Sequence, residues 1–331
     1  MAKNKKRLLV PEILAAAGWE AIRGRDDVEA LAFPPTISSP EFNALLRSLD
    51  EVNAVILGLT RFGETECGNA HALQVVARIG VGYDTVDVEA LTAHGIPLMV
   101  AGTANSVSVA EQALFMMLML ARRGAHFDRL VRAGGWSDRL RTLPIDLMDK
   151  TLLIVGFGRI GTRLAKRCLA LEMNVVVYDP YVPADAVRAA GCEPTDDLDQ
   201  ALPRADFVSI HCPRTKQTEG MFNATRLGRM KPTAYLINTA RGGIIDEAAL
   251  HAALAQDTIA GAGIDVFDRE PASGDHPLLQ LDNIVTAPHM AGVTRESTNR
   301  MAFEAVRNVL SVFDGTPIRE NVVNAEVLRN T

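Results

Sequence analysis

Only four cysteines occur in 331 residues, Cys67, Cys168, Cys192 and Cys212, with no C-x-x-C pair and no histidine cluster beside them. That spacing excludes a disulfide framework and supplies no zinc site, so free thiols and no bound metal are expected. A basic excess is also missing: 34 Lys and Arg stand against 40 Asp and Glu, a net charge of −6. A nucleic-acid partner calls for the opposite balance. Long apolar runs are lacking too. The longest, ALFMMLMLA at 113–121, has nine residues, whereas a helix that spans a bilayer needs about 20. Near the start, Lys3, Lys5, Lys6 and Arg7 precede an apolar run, but Pro11 and Glu12 cut it after Val10. No secretory core results. A cytoplasmic protein with neither a nucleic-acid nor a membrane partner is therefore expected.

What is present suits a soluble globular chain, with 48% hydrophobic and 22% charged residues. At about 150 residues per domain the length implies two domains. Short apolar runs alternate with longer amphipathic stretches. The runs are RLLV (7–10), AVILG (54–58), VARIG (76–80), PLMV (97–100), TLLIVG (151–156), NVVVYD (174–179), DFVSIH (206–211), AYLINT (234–239), AGAGIDV (260–266) and NIVTA (283–287). Several lack polar alternation, as strands buried on both faces do. The pattern is that of an α/β protein with parallel sheets. One helix stands apart: SVSVAEQALFMMLMLARR, 106–123, has Ser106 as its candidate N-cap and is apolar on nearly every side. Such a helix needs cover all round, from its own core or from a second subunit. A homodimer is the expectation.

VGFGRIGTRLAKR leaves the strand TLLI and enters a helix. Its glycines, Gly156, Gly158 and Gly161, have dinucleotide-binding spacing. The first permits a tight turn, the second a close approach of backbone to pyrophosphate, and the third close packing of helix on strand. Arg159 and Ile160 complete the loop, whose phosphates would lie at the helix N-terminus. The next strand ends in Asp179, 18 residues after Gly161. A carboxylate there accepts ribose hydroxyls and repels a 2′-phosphate, so NAD is preferred over NADP.

Three later stretches each put a polar residue just beyond a strand. They are INTARGG with Arg241, DVFDREP with Glu270, and TAPHMAG with His289. Ligands in open α/β sheets bind outside the carboxyl ends of the strands, so the three can converge. A guanidinium grips a carboxylate with two parallel bonds. An imidazole can exchange a proton near neutral pH, and a carboxylate beside it favours the imidazolium and fixes its tautomer. This is the set that hydride transfer to a 2-keto acid requires. Read singly, Arg241 could instead pair with Asp246 or Glu247 at the surface.

The sequence resembles the D-isomer-specific 2-hydroxyacid dehydrogenase family, most closely its phosphoglycerate dehydrogenase branch. The segments that carry the resemblance are RIGVGYDTVDVEAL, TANSVSVAEQALFMMLMLAR, LLIVGFGRIGTRLA, HCPRTKQTEGMF, LINTARGGIIDEAAL, GAGIDVFDREP and APHMAGVT. It implies that Arg241, Glu270 and His289 are the catalytic triplet. It places Val81 and Gly82 at the substrate carboxylate, and Asn105 in a hinge segment near the substrate. His211, Cys212 and Pro213 fall beside adenine and ribose, and Thr218 near the cofactor phosphates. Thr239 and Ala240 belong to the cofactor face, and Asp265 to the nicotinamide amide. The architecture it implies is two Rossmann-like domains with parallel sheets. A substrate-binding domain, residues 1–102 and 294–331, is interrupted by an NAD-binding domain, residues 103–293.

The implied activity is NAD-dependent interconversion of a small 2-hydroxy and 2-keto acid. Arg61, in VILGLTRFGETE, falls where relatives place a substrate-facing arginine and could serve a second anionic group. It could equally be a solvated loop residue. The sequence runs to Thr331, and the further C-terminal domain that phosphoglycerate dehydrogenases often carry is expected to be absent. Hydroxypyruvate or glyoxylate reduction is the alternative, and an NAD-sensing corepressor is the alternative of another class. Formate dehydrogenase is set aside, because it has Gln where this chain has Glu270.

Overall fold

The computed structural model describes residues 5–329. Lys3 of the basic lead-in and Thr331 lie outside the described residues. The strands are β1 (Lys6–Pro11), β2 (Val28–Phe33), β3 (Ala54–Leu57), β4 (Val75–Arg78), β5 (Leu98–Met99), β6 (Thr151–Val155), β7 (Asn174–Tyr178), β8 (Glu193–Thr195), β9 (Phe207–Ile210), β10 (Tyr235–Asn238), β11 (Gly261–Ile264) and β12 (Ile284–Thr286). The ten apolar runs all become strands. β2 and β8 are additional, and both are edge strands. β2, VEALAF, is fully buried only at its two ends. β8 is the tripeptide EPT, and a proline is tolerated in a sheet only at an edge.

The chain divides into two compact units. One comprises residues to Asn105 and from Val293 onward, and the other is Ser106–Gly292. In the first, five strands pair in parallel in the order β2-β1-β3-β4-β5. Leu8, Val10, Ala54 and Ile56 face the helix Arg295–Phe313 through Ala302, Ala305, Val306 and Val309. Leu9, Val55 and Leu57 face Phe33, Phe42 and Phe62 on the other side. Cover on both faces is why these runs show no polar alternation.

The second unit holds seven parallel strands in the order β12-β11-β10-β9-β6-β7-β8. Leu152 and Ile154 of β6 point into one core and Leu153 and Val155 into the other, the period of two that a strand imposes. The strand order reverses between β6 and β9, the switch point where doubly wound sheets open a crevice. The apolar helix Ser106–Ala121 buries Ala113, Met116, Met117 and Leu120. It sits close to β11 because Gly263 has no side chain: a Cβ there would come within 2.9 Å of Met116 Cβ. Ser106 is the first helical residue, and its Oγ accepts a hydrogen bond from Arg163 Nε at 3.0 Å. The same helix leaves Phe115 and Leu118 exposed.

All four cysteines are free, and burial pushes the Cys168 thiol up to about 12. Among the described residues no helix is long and apolar enough to cross a membrane. Nor, among the described residues, is any group of three or more His, Cys, Asp or Glu placed to hold a metal ion.

Candidate active site

The glycine loop leaves β6 at the switch point. Gly156 has φ +99°, and a Cβ there would stand 2.6 Å from the Cys212 nitrogen beyond β9. The turn and the close approach of two strand ends both require glycine. Gly161 opens the helix Gly161–Ala170, and a Cβ on it would collide with the Gly156 carbonyl oxygen. Gly158 faces open space. Ile160 precedes the helix with no side-chain cap, so no side chain compensates the positive end of the helix dipole, which favours an anion there. Arg159 is exposed on the same loop.

Asp179, just past β7, ties this loop down. Its Oδ2 accepts the Phe157 N–H at 2.7 Å and its Oδ1 accepts the Tyr181 N–H at 2.9 Å. Past β9, Thr218 closes its own turn by donating to the Pro213 carbonyl at 2.7 Å and accepting the Thr215 N–H at 2.7 Å. Two shielded polar atoms at this sheet end have no hydrogen-bond partner among the described residues, His211 Nδ1 and Thr239 Oγ1. Unsatisfied groups of that kind mark a place for a ligand or water. With the open Gly158 and the uncapped helix, they fit a dinucleotide.

His211 contacts Ser209 Oγ through Nε2 at 2.8 Å, and burial pushes its pKa from 6.5 down to about 3. The folded value lies below the unfolded one, so the unfolded chain takes up the proton first. Stability is full above the unfolded value and is lost as pH falls through it towards the folded one. At about pH 5.5 the loss is about 1.4 kcal/mol. Urea unfolding near neutrality and at the lower pH should show this loss in the wild type and not in His211→Gln; equal slopes would refute it. Burial also pushes the Cys212 thiol up to about 11, which makes it a poor nucleophile.

Arg241, Glu270 and His289 stand beyond β10, β11 and β12, three adjacent strands. Asn238 shapes the first loop: its Oδ1 accepts the Ala240 N–H at 3.0 Å and its Nδ2 donates to the Arg241 carbonyl at 2.9 Å. Arg241 Nη1 donates to the Ala240 carbonyl at 2.7 Å. The two acids weighed as its surface partners have other engagements. Asp246 caps the helix Glu247–Ala255, and Glu247 accepts the Asp268 N–H. Glu270 Oε1 accepts the Phe267 N–H at 3.0 Å, and its Oε2 lies 2.7 Å from His289 Nδ1. With the carboxylate accepting, Nδ1 carries the hydrogen, and Nε2 is left to exchange a proton with a substrate.

His289 has φ +54°, a strained conformation for a residue other than glycine. Asp265 holds it there. Its carbonyl accepts the His289 N–H at 2.7 Å, and its two carboxylate oxygens accept the Met290 and Ala291 N–H groups, each at 2.8 Å. The Asp265 side chain is fully buried, and burial raises its pKa despite those two donors. The carboxylate that the resemblance links to a nicotinamide amide thus also anchors the histidine turn. The sequence offers a weak signal for this latch, an acid at the end of one strand and a histidine just past the next.

In the other unit, Arg61 is exposed beyond β3. The loop with Val81 and Gly82 follows β4 and is pinned by Arg78, whose Nε donates to the Gly82 carbonyl at 2.9 Å. Arg78 passes unnoticed inside the run VARIG. Asn105 is half-buried at the end of that unit's first segment.

Residues 114–291 match the family described as D-isomer specific 2-hydroxyacid dehydrogenase, NAD binding domain. The chain is 38% identical over 281 residues to a D-3-phosphoglycerate dehydrogenase of Archaeoglobus fulgidus, covering 85% of this chain and 53% of that protein. It is 36% identical over 333 residues to a glyoxylate reductase of Thermofilum pendens, covering 98% of this chain and 96% of the relative. It spans about half the length of the phosphoglycerate dehydrogenases it matches. Among solved structures it resembles D-lactate dehydrogenase from Aquifex aeolicus complexed with NAD and lactic acid. The TM-score is 0.82 at 28% identity, covering 96% of this chain and 99% of that one.

Proposed function

This chain belongs to the D-isomer specific 2-hydroxyacid dehydrogenase family, and on that premise we propose that it interconverts a small 2-hydroxy acid and its 2-keto acid with NAD(H). The observation that carries the reading is the pair His289–Glu270 at 2.7 Å, formed between the loops after β12 and β11, with Arg241 beyond the adjacent β10. When bound, NAD(H) supplies or accepts the hydride. The loop at Gly156, Gly158, Arg159, Ile160 and Gly161 would hold its phosphates, and Asp179 its ribose. His211, Cys212, Pro213, Thr218, Thr239, Ala240 and Asp265 complete that face.

His289 Nε2 gives a proton to the carbonyl oxygen in reduction and takes it back in oxidation. Glu270 holds the ring in the Nδ1–H tautomer and at a fixed orientation. Arg241 binds the acid's carboxylate, a planar match of two parallel bonds. Arg61, Val81, Gly82 and Asn105 are assigned to the acid as well. Exposed Arg61 suits a second anionic group, as in phosphoglycerate. The second reading is hydroxypyruvate or glyoxylate, acids with no second anionic group for Arg61 to meet. The protein is taken as cytoplasmic and as a homodimer, and exposed Phe115, Leu118 and Trp136 support the dimer.

The test is loss of NADH absorbance with phosphohydroxypyruvate, hydroxypyruvate, glyoxylate, pyruvate and oxaloacetate. Turnover of at least one acid is expected, with NADH favoured over NADPH because Asp179 repels a 2′-phosphate. A preference for the phosphorylated acid would assign Arg61. NADH binding without turnover of any acid would replace the dehydrogenase with a binding protein. Sedimentation of the same preparation should give twice the 35.7 kDa chain mass, and a monomer would refute the dimer.

A further inference from the structure

Another histidine–carboxylate pair lies in the same unit as His289 and Glu270. His276 Nε2 is 3.1 Å from Glu247 Oε2, and the two side chains are only 20% and 18% exposed. The pairing needs no charge on the ring. His276 Nδ1 accepts the Leu278 N–H at 3.3 Å, so the hydrogen sits on Nε2 and is donated to Glu247. The other oxygen of Glu247 accepts the Asp268 N–H at 2.8 Å, and Asp268 Oδ1 accepts the Gly243 N–H at 2.5 Å. These bonds join the loop that bears Arg241 to the loop that bears Glu270. The loops also touch directly, since a Cβ on Gly242 would collide with the Phe267 carbonyl. Phe267 in turn packs edge-on against the His276 ring at 5.4 Å and donates its N–H to Glu270. His276 therefore meets both the carboxylate that spaces the loops and the residue whose backbone holds Glu270.

We propose that Glu247 and His276 are positioning residues that set Arg241 and the Glu270–His289 pair at their working separation. The proposal rests on the dehydrogenase reading above. Neither side chain is given a contact with substrate or cofactor. Their effect passes through Phe267 and Asp268, consecutive residues of the loop that bears Glu270. Small displacements suffice, because a misplacement of about 1 Å at reacting groups can cost a hundredfold in rate.

The experiment compares wild type, His276→Leu, His276→Gln and Glu247→Gln. His276→Leu should lower kcat/KM by about 10- to 100-fold while NADH affinity, read by fluorescence titration, stays unchanged. His276→Gln keeps an amide N–H where Nε2–H stood, and should recover most of the loss. Glu247→Gln replaces the acceptor facing Nε2–H with a donor or an uncharged oxygen, and should resemble His276→Leu. A crystal structure of His276→Leu supplies a readout apart from turnover: the Glu270–His289 contact of 2.7 Å should be broken or displaced. Unchanged kinetics in His276→Leu, with only a lower melting temperature, would overturn the proposal. So would failure of glutamine to rescue where leucine is impaired. Wild type inert on every acid would instead overturn the dehydrogenase reading. The crystal structure then decides alone, an intact Glu270–His289 pair refuting the brace and a broken one upholding it.

Discussion

Replacing His289 with alanine should lower kcat by about 10²- to 10⁴-fold, the range that a positioned acid–base group contributes. The residue sits at φ +54°, so alanine also alters the backbone preference of the turn. His289→Asn separates the two effects. Asparagine tolerates the left-handed region well yet offers no group that titrates near neutrality. Both variants should lose activity alike if proton transfer is the role, and NADH affinity should survive in both. The fluorescence titration that measures cofactor binding and the absorbance assay that measures turnover can be run on the same samples. An asparagine variant with near wild-type kcat would remove His289 from the chemistry and leave the strained turn as its only distinction.

Asp265→Ala should produce the next largest effect, and it should appear in both stability and rate. The carboxylate is fully buried and satisfies two backbone N–H groups at 2.8 Å. Deleting it strands both donors, each costing about 1–3 kcal/mol when buried without a partner. It also releases a turn whose strain persists only while its surroundings hold it. Unfolding free energy should fall by about 2–4 kcal/mol, and kcat by about 100-fold as His289 loses its fixed place. Asp265→Asn should lie between, since its oxygen can accept one N–H while its amide group opposes the other. Urea unfolding and turnover, measured together, test the linkage. Loss of stability with full kcat would mean that the latch serves the fold and not the histidine.

Arg241, Glu270 and His289 show why part of the site was legible in one dimension. Each follows a short apolar run, and in a parallel sheet every such residue emerges at the same edge. Chain order therefore fixed their side of the sheet. The glycine loop was legible for a similar reason, because Gly156 and Gly161 are required by backbone collisions that only glycine avoids. Edge strands were not. β2 and β8 need burial on fewer sides, so their sequences, VEALAF and EPT, carry too little apolar signal to announce a strand.

Other features depend on which loops the fold brings side by side. Nothing in the spacing of Glu247 and His276, or in Asp268 and Gly243, marks them as partners. Nor does the sequence mark the Met290 and Ala291 N–H groups as the donors that the Asp265 carboxylate accepts. The sequence by itself determined the α/β class, the parallel sheets, the glycine loop and the identities of the candidate triplet, because hydrophobic period, glycine sterics and strand-end placement are local or repeat along the chain. Tertiary structure alone decided what holds that triplet in place. Hydrogen bonds between loops depend on distances across the sheet, and a linear order of residues does not contain those distances.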